Sequence, residues 1–388
     1  MILKFRAYAP WKGWDLMNPY ALRNTDEIST PALVYYRDIF LNNTDQIIDL
    51  AGGADRLWPH VKSHKSIEMV KLQMTKGIRR FKCATVAEAE MVCMAGADAA
   101  ILAMPPAGPV PKRLMALSKA FPNTKLYALA DCEIHLNAYA AAAAEAGTTA
   151  NLLVDVNIGM NRTGIPTAQV AELYRKAASM PGLCMCGFHC YDGDRHEHDA
   201  AERQTLVDQG DNEVFAVRKQ LMDEGFSVDL VVLGGSPSFP CHTHFKQDGI
   251  YYSPGTVFLN DAGYSSSFQD LKMTPAVTVM SRVISRPNRG LFTLDLGYKA
   301  IAGDPPMESR GVVVNVEHCK PFLQNEEHWV FRMDEGYEDQ TPEVGTVVYV
   351  IPQHVCPCAA LYPSILIAEQ GELVDEWEVT ARNRKITY

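Results

Sequence analysis

A regular alternation of short apolar runs with helical patterns is the feature that most constrains the fold of this chain. Eight runs rich in β-branched and other apolar residues lie at 57–62, 81–86, 99–104, 125–131, 151–158, 183–191, 229–233 and 250–257. Helical periodicity marks the segments 37–51, 66–76, 87–95, 133–146, 167–179 and 202–224. Strands that alternate with helices form parallel sheets, and eight such strands close into a barrel. The sequence therefore predicts an α/β fold with an eight-stranded parallel (β/α) barrel, and an open doubly wound sheet is the alternative.

The pattern changes after residue 265. Strand-like runs at 276–284, 290–294, 312–316, 329–333 and 346–351 are separated by turn residues, with little helical periodicity between them. This texture is typical of a separate antiparallel β domain. We therefore predict a barrel over residues 28–264 and a β domain over residues 265–388, to which residues 1–27 add.

Charge and composition exclude several classes of protein. The chain has 388 residues, a formal net charge of −10 and 47% hydrophobic residues, which suits packed domains and argues against a nucleic-acid partner. Its most apolar helical stretch, 138–144, is too short to span a membrane. The N-terminal segment lacks the continuous apolar run of a signal peptide, and ten cysteines in a chain this long do not form a disulfide scaffold. We expect a cytoplasmic protein without a membrane partner.

The first barrel strand ends in a lysine-rich segment. Lys62 and His64 follow the run 57–62 at its carboxyl end, where barrels of this kind carry their chemistry. A partly desolvated lysine has a lowered amine pKa, as Schiff-base chemistry requires. A solvated surface lysine is the competing interpretation.

Two glycine loops follow the seventh and eighth strands. One carries Gly234, Gly235 and Ser236, and the other carries Gly255 and Thr256. Loops at these positions are the usual phosphate site of such barrels, because glycine lets backbone N–H groups approach the phosphate oxygens. Either loop alone would be an ordinary turn, but the two together predict an anion site.

Histidines and a cysteine supply candidates for metal binding and proton transfer. In an extended segment His354 and Cys356 project to one face, where they would suit a catalytic metal with open positions. A chance His-x-Cys pair is the alternative. After the sixth strand, His196 or His198 could act as a general base, since imidazole titrates near neutral pH.

Three segments carry a resemblance to a known family. TPALV at 30–34, PHVKSHK at 59–65 and FKCATVAEAE at 81–90 resemble the D-threonine aldolase and D-serine dehydratase family, which has the alanine racemase-like fold. The resemblance implies pyridoxal 5'-phosphate (PLP) on Lys62, with Lys65 as the second candidate, and cofactor phosphate at the two glycine loops. It also implies that Arg162 and Tyr191 face the cofactor, that His196 matches the base better than His198, and that the protein is a homodimer.

The same resemblance bears on the metal and the reaction. Family aldolases typically carry histidine and aspartate at the positions of His354 and Cys356, whereas dehydratases carry histidine and cysteine. Cysteine favours zinc, with manganese or magnesium as alternatives. We therefore predict a PLP- and metal-dependent lyase acting on a D-3-hydroxy amino acid. A dehydratase of the D-serine or D-3-hydroxyaspartate type is slightly favoured over a D-threonine aldolase, ahead of a racemase or a non-catalytic PLP-binding protein.

Overall fold

The predicted alternation of strands and helices is present in the structure, a computed structural model that describes residues 18–388. The strands are β1 (Ala32–Tyr36), β2 (Arg80–Cys83), β3 (Ala99–Leu102), β4 (Lys125–Ala130), β5 (Ala150–Asn157), β6 (Ile165–Pro166), β7 (Leu183–Cys190), β8 (Leu230–Leu233), β9 (Ile250–Tyr252), β10 (Val277–Ser285), β11 (Leu291–Leu294), β12 (Gly311–Val313), β13 (Cys319–Gln324), β14 (Trp329–Met333), β15 (Val347–Pro352), β16 (Ser364–Glu369) and β17 (Glu372–Glu378). The α-helices are α1 (Arg37–Ala51), α2 (Ile67–Thr75), α3 (Val86–Met94), α4 (Val110–Ala120), α5 (Glu133–Ala146), α6 (Thr167–Ala178), α7 (Ala200–Asp223), α8 (Phe239–His242), α9 (Ala262–Ser267) and α10 (Val355–Leu361).

The first of two compact units is the barrel, formed by residues 44–255 with 383–388. Its parallel sheet has the order β2-β3-β4-β5-β7-β8-β9, and β6 pairs with β5. Parallel bridges from Leu57 to Tyr252 and from His60 to Lys82 join the two edge strands through the segment 57–60. The prediction of an eight-stranded parallel barrel is therefore confirmed.

The first barrel strand differs from its prediction. The run 57–62 was expected to be a continuous strand, but it makes two isolated bridges and then turns into a 3₁₀ helix, Val61–Ser63. Pro59 lies between the bridged residues and has no N–H group to donate to a neighbouring strand. Lys62 therefore lies in the turn after the strand.

The barrel interior is apolar at one level and polar at the next. Its apolar cluster contains Trp58, Ala99, Ile101, Tyr127, Leu129, Leu153, Cys186, Leu230 and Val232. Alternate residues of a strand face the same side, and Lys82 is in register with the cluster member Ile101. Asp155 follows Leu153 by two residues and pairs in register with His189. Lys82, Asp155 and His189 therefore all face the interior of the barrel, and we call these three residues together the polar layer of the barrel.

The second unit is a β domain, formed in the described chain by residues 18–43 and 256–382. Its sheet has the order β13-β14-β11-β10-β1-β16-β17, and β15 pairs with β10 and β12. The pairs are antiparallel as predicted, except that β1 and β16 are parallel.

The predicted boundaries of the two domains need correction. We assigned residues 28–264 to the barrel, but β1 pairs with β10 and β16, and residues 256–264 also belong to the β domain. The last six residues group instead with the barrel, where the N–H groups of Thr387 and Tyr388 donate to Glu90. Residues 1–17, predicted to add to the β domain, lie outside the described residues. Among residues 18–388, no helix combines the length and apolar character needed to cross a membrane.

Candidate cofactor site and metal ligands

The two candidate anchor lysines have different surroundings. Lys62 is half-buried in the turn that follows the first barrel segment. The amine of Lys65 forms an ion pair with Glu88, whose side chain is fully buried. Because the charge of Lys65 is already compensated, the geometry favours Lys62 as the residue that reacts with a carbonyl cofactor.

Two histidines flank Lys62 and are held neutral by burial. The Nδ1 atom of His60 accepts a hydrogen bond from the Lys62 N–H group at 3.3 Å, which fixes the turn. Burial, followed by the charge of Lys62, holds the pKa of His60 well below its ordinary value. Burial, followed by the charge of Lys65, lowers the pKa of His64 to about 3. Neither imidazole adds positive charge beside the anchor at neutral pH.

The two glycine loops pack more closely than any larger residue would allow. A Cβ atom on Gly235 would lie 2.9 Å from the ring of Tyr191, and one on Gly255 would lie 3.0 Å from the Cβ of His60. The Gly235 N–H group donates to Asp192 Oδ1 at 3.1 Å, and the Gly255 N–H group donates to Ser236 Oγ at 3.0 Å. These two N–H groups, predicted as phosphate donors, already have partners in the protein, so the glycines serve the close approach of the backbone.

A buried ion network supports the first of these loops. His242 Nε2 lies 3.0 Å from Asp192 Oδ2, and His242 Nδ1 lies 2.8 Å from Asp211 Oδ2. Burial alone would lower the pKa of His242, but Asp192 and then Asp211 outweigh burial and raise it to about 10. His242 is therefore a charged imidazolium at neutral pH. No local sequence signal marks this network, because Asp211 and Asp192 lie 31 and 50 residues from His242 along the chain.

The polar layer of the barrel was not predicted as part of the site. Lys82 is only 1% exposed, and its Nζ lies 2.5 Å from Ser253 Oγ and 5.1 Å from the centre of the Tyr191 ring. His189 Nδ1 lies 2.7 Å from Asp155 Oδ1, and His189 Nε2 is buried without a hydrogen-bond partner. A buried polar atom without a partner is costly, which indicates a site built for a ligand.

The structure brings some of the other predicted side chains together. The guanidinium carbon of the exposed Arg162 lies 4.5 Å from the centre of the Tyr191 ring, which is half-buried. His196 and His198 are both exposed in the loop between β7 and α7. Of the histidines between residues 183 and 199, only His189 is buried, and it lay unnoticed inside an apolar run.

The predicted metal ligands lie in the β domain, in a conformation other than the expected one. The segment is not extended, because His354 is the N-cap of α10 and Cys356 lies in the first turn of that helix. The two side chains nevertheless lie close enough to interact. Cys356 Sγ also lies 3.3 Å from the hydroxyl oxygen of Thr256, a residue that we had predicted at the phosphate loop.

Two aspartates position the pair. Asp304 Oδ2 lies 2.6 Å from His354 Nδ1, which leaves Nε2 as the nitrogen that can bind a metal. Asp261 is fully buried and accepts a hydrogen bond from the N–H group of Val355 at 2.9 Å, at the start of α10. An imidazole nitrogen and a cysteine sulfur, with an outer carboxylate, fit a zinc ion that keeps open positions. No local sequence signal marks the two aspartates, because Asp304 lies 50 residues and Asp261 lies 94 residues from its partner.

The charges and polar atoms of the barrel residues suit PLP. The half-buried Lys62, the buried Lys82 and Arg162 form a cationic site suited to an anionic cofactor, and His189 Nε2 offers an unused polar atom. Cys358, by contrast, is fully buried and accepts the Ala302 N–H group at 3.1 Å, so it packs in the β domain, as expected.

Comparisons with known proteins identify the family of the chain. Residues 37–256 match the alanine racemase N-terminal domain, and residues 276–368 match a serine dehydratase domain. The chain is 27% identical to a D-threonine aldolase from an Arthrobacter species over 92% of this chain and 93% of the relative. The crystal structure of D-threonine aldolase from Filomicrobium marinum superposes with a TM-score of 0.84 and 26% identity, covering 94% of this chain and 99% of that one. A cysteine-to-alanine variant of a D-threo-3-hydroxyaspartate dehydratase in the metal-free form superposes with a TM-score of 0.79 and 20% identity, covering 91% and 97%. The chain therefore belongs to the D-threonine aldolase and D-serine dehydratase family, a PLP-dependent enzyme family of the alanine racemase-like fold.

Proposed function

We propose that this protein is a PLP- and divalent-metal-dependent lyase that acts on D-3-hydroxy amino acids, with elimination of water as its main reaction. The observation that carries the proposal is the pairing of His354 with Cys356, with Asp304 behind the imidazole. Relatives over the full length include aldolases and dehydratases of D-hydroxy amino acids, which supports the substrate class.

The barrel residues have separate roles in the reaction at the α-carbon of the substrate. When bound, PLP supplies an electron sink for the charge that develops at Cα. Lys62 would hold the cofactor and would be the amine that takes the α-proton. Arg162, whose guanidinium packs on the ring of Tyr191, would bind the cofactor or the substrate carboxylate. His242 keeps Asp192 in place, and Asp192 holds the glycine loop through the Gly235 N–H group.

The β-domain residues act on the β-hydroxyl group. A metal held by His354 and Cys356 would supply a Lewis acid for this group. Asp304 fixes the ring of His354, and Asp261 fixes the helix turn that carries Cys356. A racemase would have no use for this pair, and a non-catalytic PLP-binding protein would not need the aspartates that orient it. The pair therefore supports a lyase.

Retro-aldol cleavage is the second candidate. It is favoured by the overall similarity to D-threonine aldolases, both in sequence and in fold. In that reaction His196 or His198 would take the proton of the β-hydroxyl group, and the Cα–Cβ bond would break. Cys356 favours elimination, because family aldolases typically carry aspartate there.

One assay separates the candidates. The purified protein, supplied with PLP and zinc, is incubated with D-serine, D-threonine, D-threo-3-hydroxyaspartate and the matching L-isomers. We expect ammonia and a 2-oxoacid in equal amounts from a D-isomer. Glycine and an aldehyde would instead establish the aldolase. Racemised substrate without either set of products would refute a lyase. The homodimer and the cytoplasmic location remain predictions that sedimentation and cell fractionation can test.

A further inference from the structure

Lys82 is a buried amine that the proposed reaction does not use. It lies on β2, is 1% exposed and is in register with an interior residue of the barrel. Lysine is almost never buried this completely without a partner of opposite charge. Burying this amine costs free energy, so we looked for a role that Lys82 performs in the barrel.

The amine lies beneath the two glycine loops. Its Nζ is 2.5 Å from Ser253 Oγ, and Ser253 Oγ is 2.9 Å from the carbonyl oxygen of Gly234. Ser253 stands just after β9, and Gly234 just after β8. The Tyr191 ring, 5.1 Å from the amine, is the ring that packs against Gly235. Lys82 therefore contacts Ser253 at the base of one loop and is linked through Ser253 to the base of the other, and both loops were predicted to hold the cofactor phosphate.

Among the residues that the structure describes, no carboxylate is dedicated to Lys82. The titratable and charged side chains that face it from the neighbouring barrel segments are His60, Lys62, Asp155, Arg162, His189 and Asp192. The two acids among them have other partners, since Asp155 is paired with His189 and Asp192 with His242. Burial, followed by the charge of Lys62, lowers the pKa of Lys82 to about 7. Half of the Lys82 amines are therefore neutral near pH 7 in the absence of an added anion.

We propose that Lys82 is the buried counter-charge of the cofactor phosphate, and that it takes up a proton from solvent when the phosphate binds at the two loops. The proposal rests on the cofactor assigned under the proposed function. The phosphate dianion brings the negative charge that the pocket lacks, and the ammonium form of Lys82 then becomes the stable one. Ser253, between the amine and Gly234, keeps the loops at a fixed distance from that charge.

Proton uptake by Lys82 determines how the affinity of the protein for a phosphate-bearing ligand depends on pH. Above pH 7 the free protein carries a neutral Lys82 and the complex carries a charged one, so binding consumes a proton. Affinity for a phosphate-bearing ligand should then fall about tenfold for each pH unit above 7, until the complex itself loses the proton. A ligand without phosphate should show no such dependence on Lys82.

The test uses pyridoxine 5'-phosphate, which has no aldehyde and cannot bond to Lys62, and pyridoxine as the control without phosphate. Both are titrated into the full-length protein, freed of cofactor, by calorimetry at pH 8 and pH 9 in two buffers of different ionisation enthalpy. For the wild type we expect close to one more proton bound with pyridoxine 5'-phosphate than with pyridoxine, and about tenfold weaker binding at pH 9 than at pH 8. Lys82→Met should abolish the extra proton and weaken binding. Lys82→Arg should keep the affinity at both pH values without proton uptake, because arginine stays charged.

The outcomes separate this inference from the proposed function. If Lys82→Met shows the same proton uptake and the same pH dependence as the wild type, Lys82 is not the counter-charge. Equal proton counts for the two ligands on the wild type would overturn the inference as well. If pyridoxine 5'-phosphate fails to bind and PLP produces no absorbance band on the wild type, the cofactor assignment itself is wrong. Lys82→Met decides the matter even if the larger arginine does not fold, because methionine replaces a buried charge by an apolar chain of similar length.

Discussion

The buried network of Asp192, His242 and Asp211 allows a quantitative prediction. Replacing His242 by leucine removes the only cation between two buried carboxylates, whose oxygens lie 3.0 and 2.8 Å from its ring nitrogens. Breaking a buried ion pair in this way costs about 3–5 kcal/mol, because the remaining charges lose their partner. In a unit of this size that loss lowers the melting temperature by roughly 10 °C.

The pKa of His242 gives the pH dependence and its sign. Its value is raised from 6.5 to about 10, so the imidazolium stabilises the fold fully below pH 6.5, and this stabilisation is lost as the pH rises toward 10. Since one pKa unit corresponds to about 1.4 kcal/mol, the loss amounts to at most about 5 kcal/mol. The stability difference between the wild type and His242→Leu should therefore be large at pH 6.5 and much smaller at pH 9.5.

The assay is differential scanning calorimetry of the cofactor-free protein at both pH values. His244→Leu is the matched control, because His244 lies two residues away with a half-exposed side chain, a 3.9 Å contact to Asp208 and a 2.8 Å contact from its Nδ1 to the carbonyl oxygen of Cys241. A surface pair of this kind contributes about 1 kcal/mol or less. If His242→Leu melts within 2 °C of the control at pH 6.5, or if its deficit is unchanged at pH 9.5, the network does not carry the charge that we assign to it.

The remaining predictions concern the anchor, the loop and the metal. Lys62→Ala should lose the absorbance of the bound cofactor and all activity, whereas Lys65→Ala should keep the covalent link; borohydride trapping on Lys65 would reverse this assignment. Gly235→Asp should abolish cofactor binding, because the added side chain enters the space of a ring 2.9 Å away; unchanged affinity would place the phosphate elsewhere. Chelation should stop turnover but leave the cofactor absorbance, and Cys356→Asp should shift the metal preference toward manganese or magnesium. Cys132→Ser is the control for that variant, since Cys132 lies beside Asp131 and His135 in the barrel unit, and its replacement should leave turnover unchanged.

Sequence periodicity was sufficient to predict the barrel, but it did not show to which of the two sheets every strand belongs. Helices α1 and α5 have the predicted bounds, because apolar periodicity and the glycine after α5 mark them clearly. β1 was not recognised as a strand of the β domain, since a fully buried run of five apolar and aromatic residues is compatible with either sheet. Its partners β10 and β16 lie more than 240 residues away, and no local signal specifies such pairing.

The metal pair was found for a reason that proved wrong. We inferred that His354 and Cys356 converge because an extended segment projects alternate residues to one face, but the chain enters a helix after His354. Pro357, in the first turn of α10, is the signal that could have shown this, because proline favours the start of a helix. The side chains meet because an N-cap residue and a first-turn residue can both face the same end of the helix.

The polar layer of the barrel could have been predicted from the periodicity of the strands. A parallel strand that is covered on both faces should be apolar throughout. A charged residue on the outer face of such a strand would be buried under the helices, at a high cost in free energy. Asp155 and His189 interrupt apolar runs near their carboxyl ends, and Lys82 is the last residue but one of β2; in a barrel this end of the strands carries the chemistry. Their alternation with interior apolar residues then requires that they face the lumen. Under our proposal the same argument explains why, among residues 18–388, no carboxylate is dedicated to Lys82: the anionic cofactor would enter the lumen at that level, and a permanent counter-ion would occupy its place.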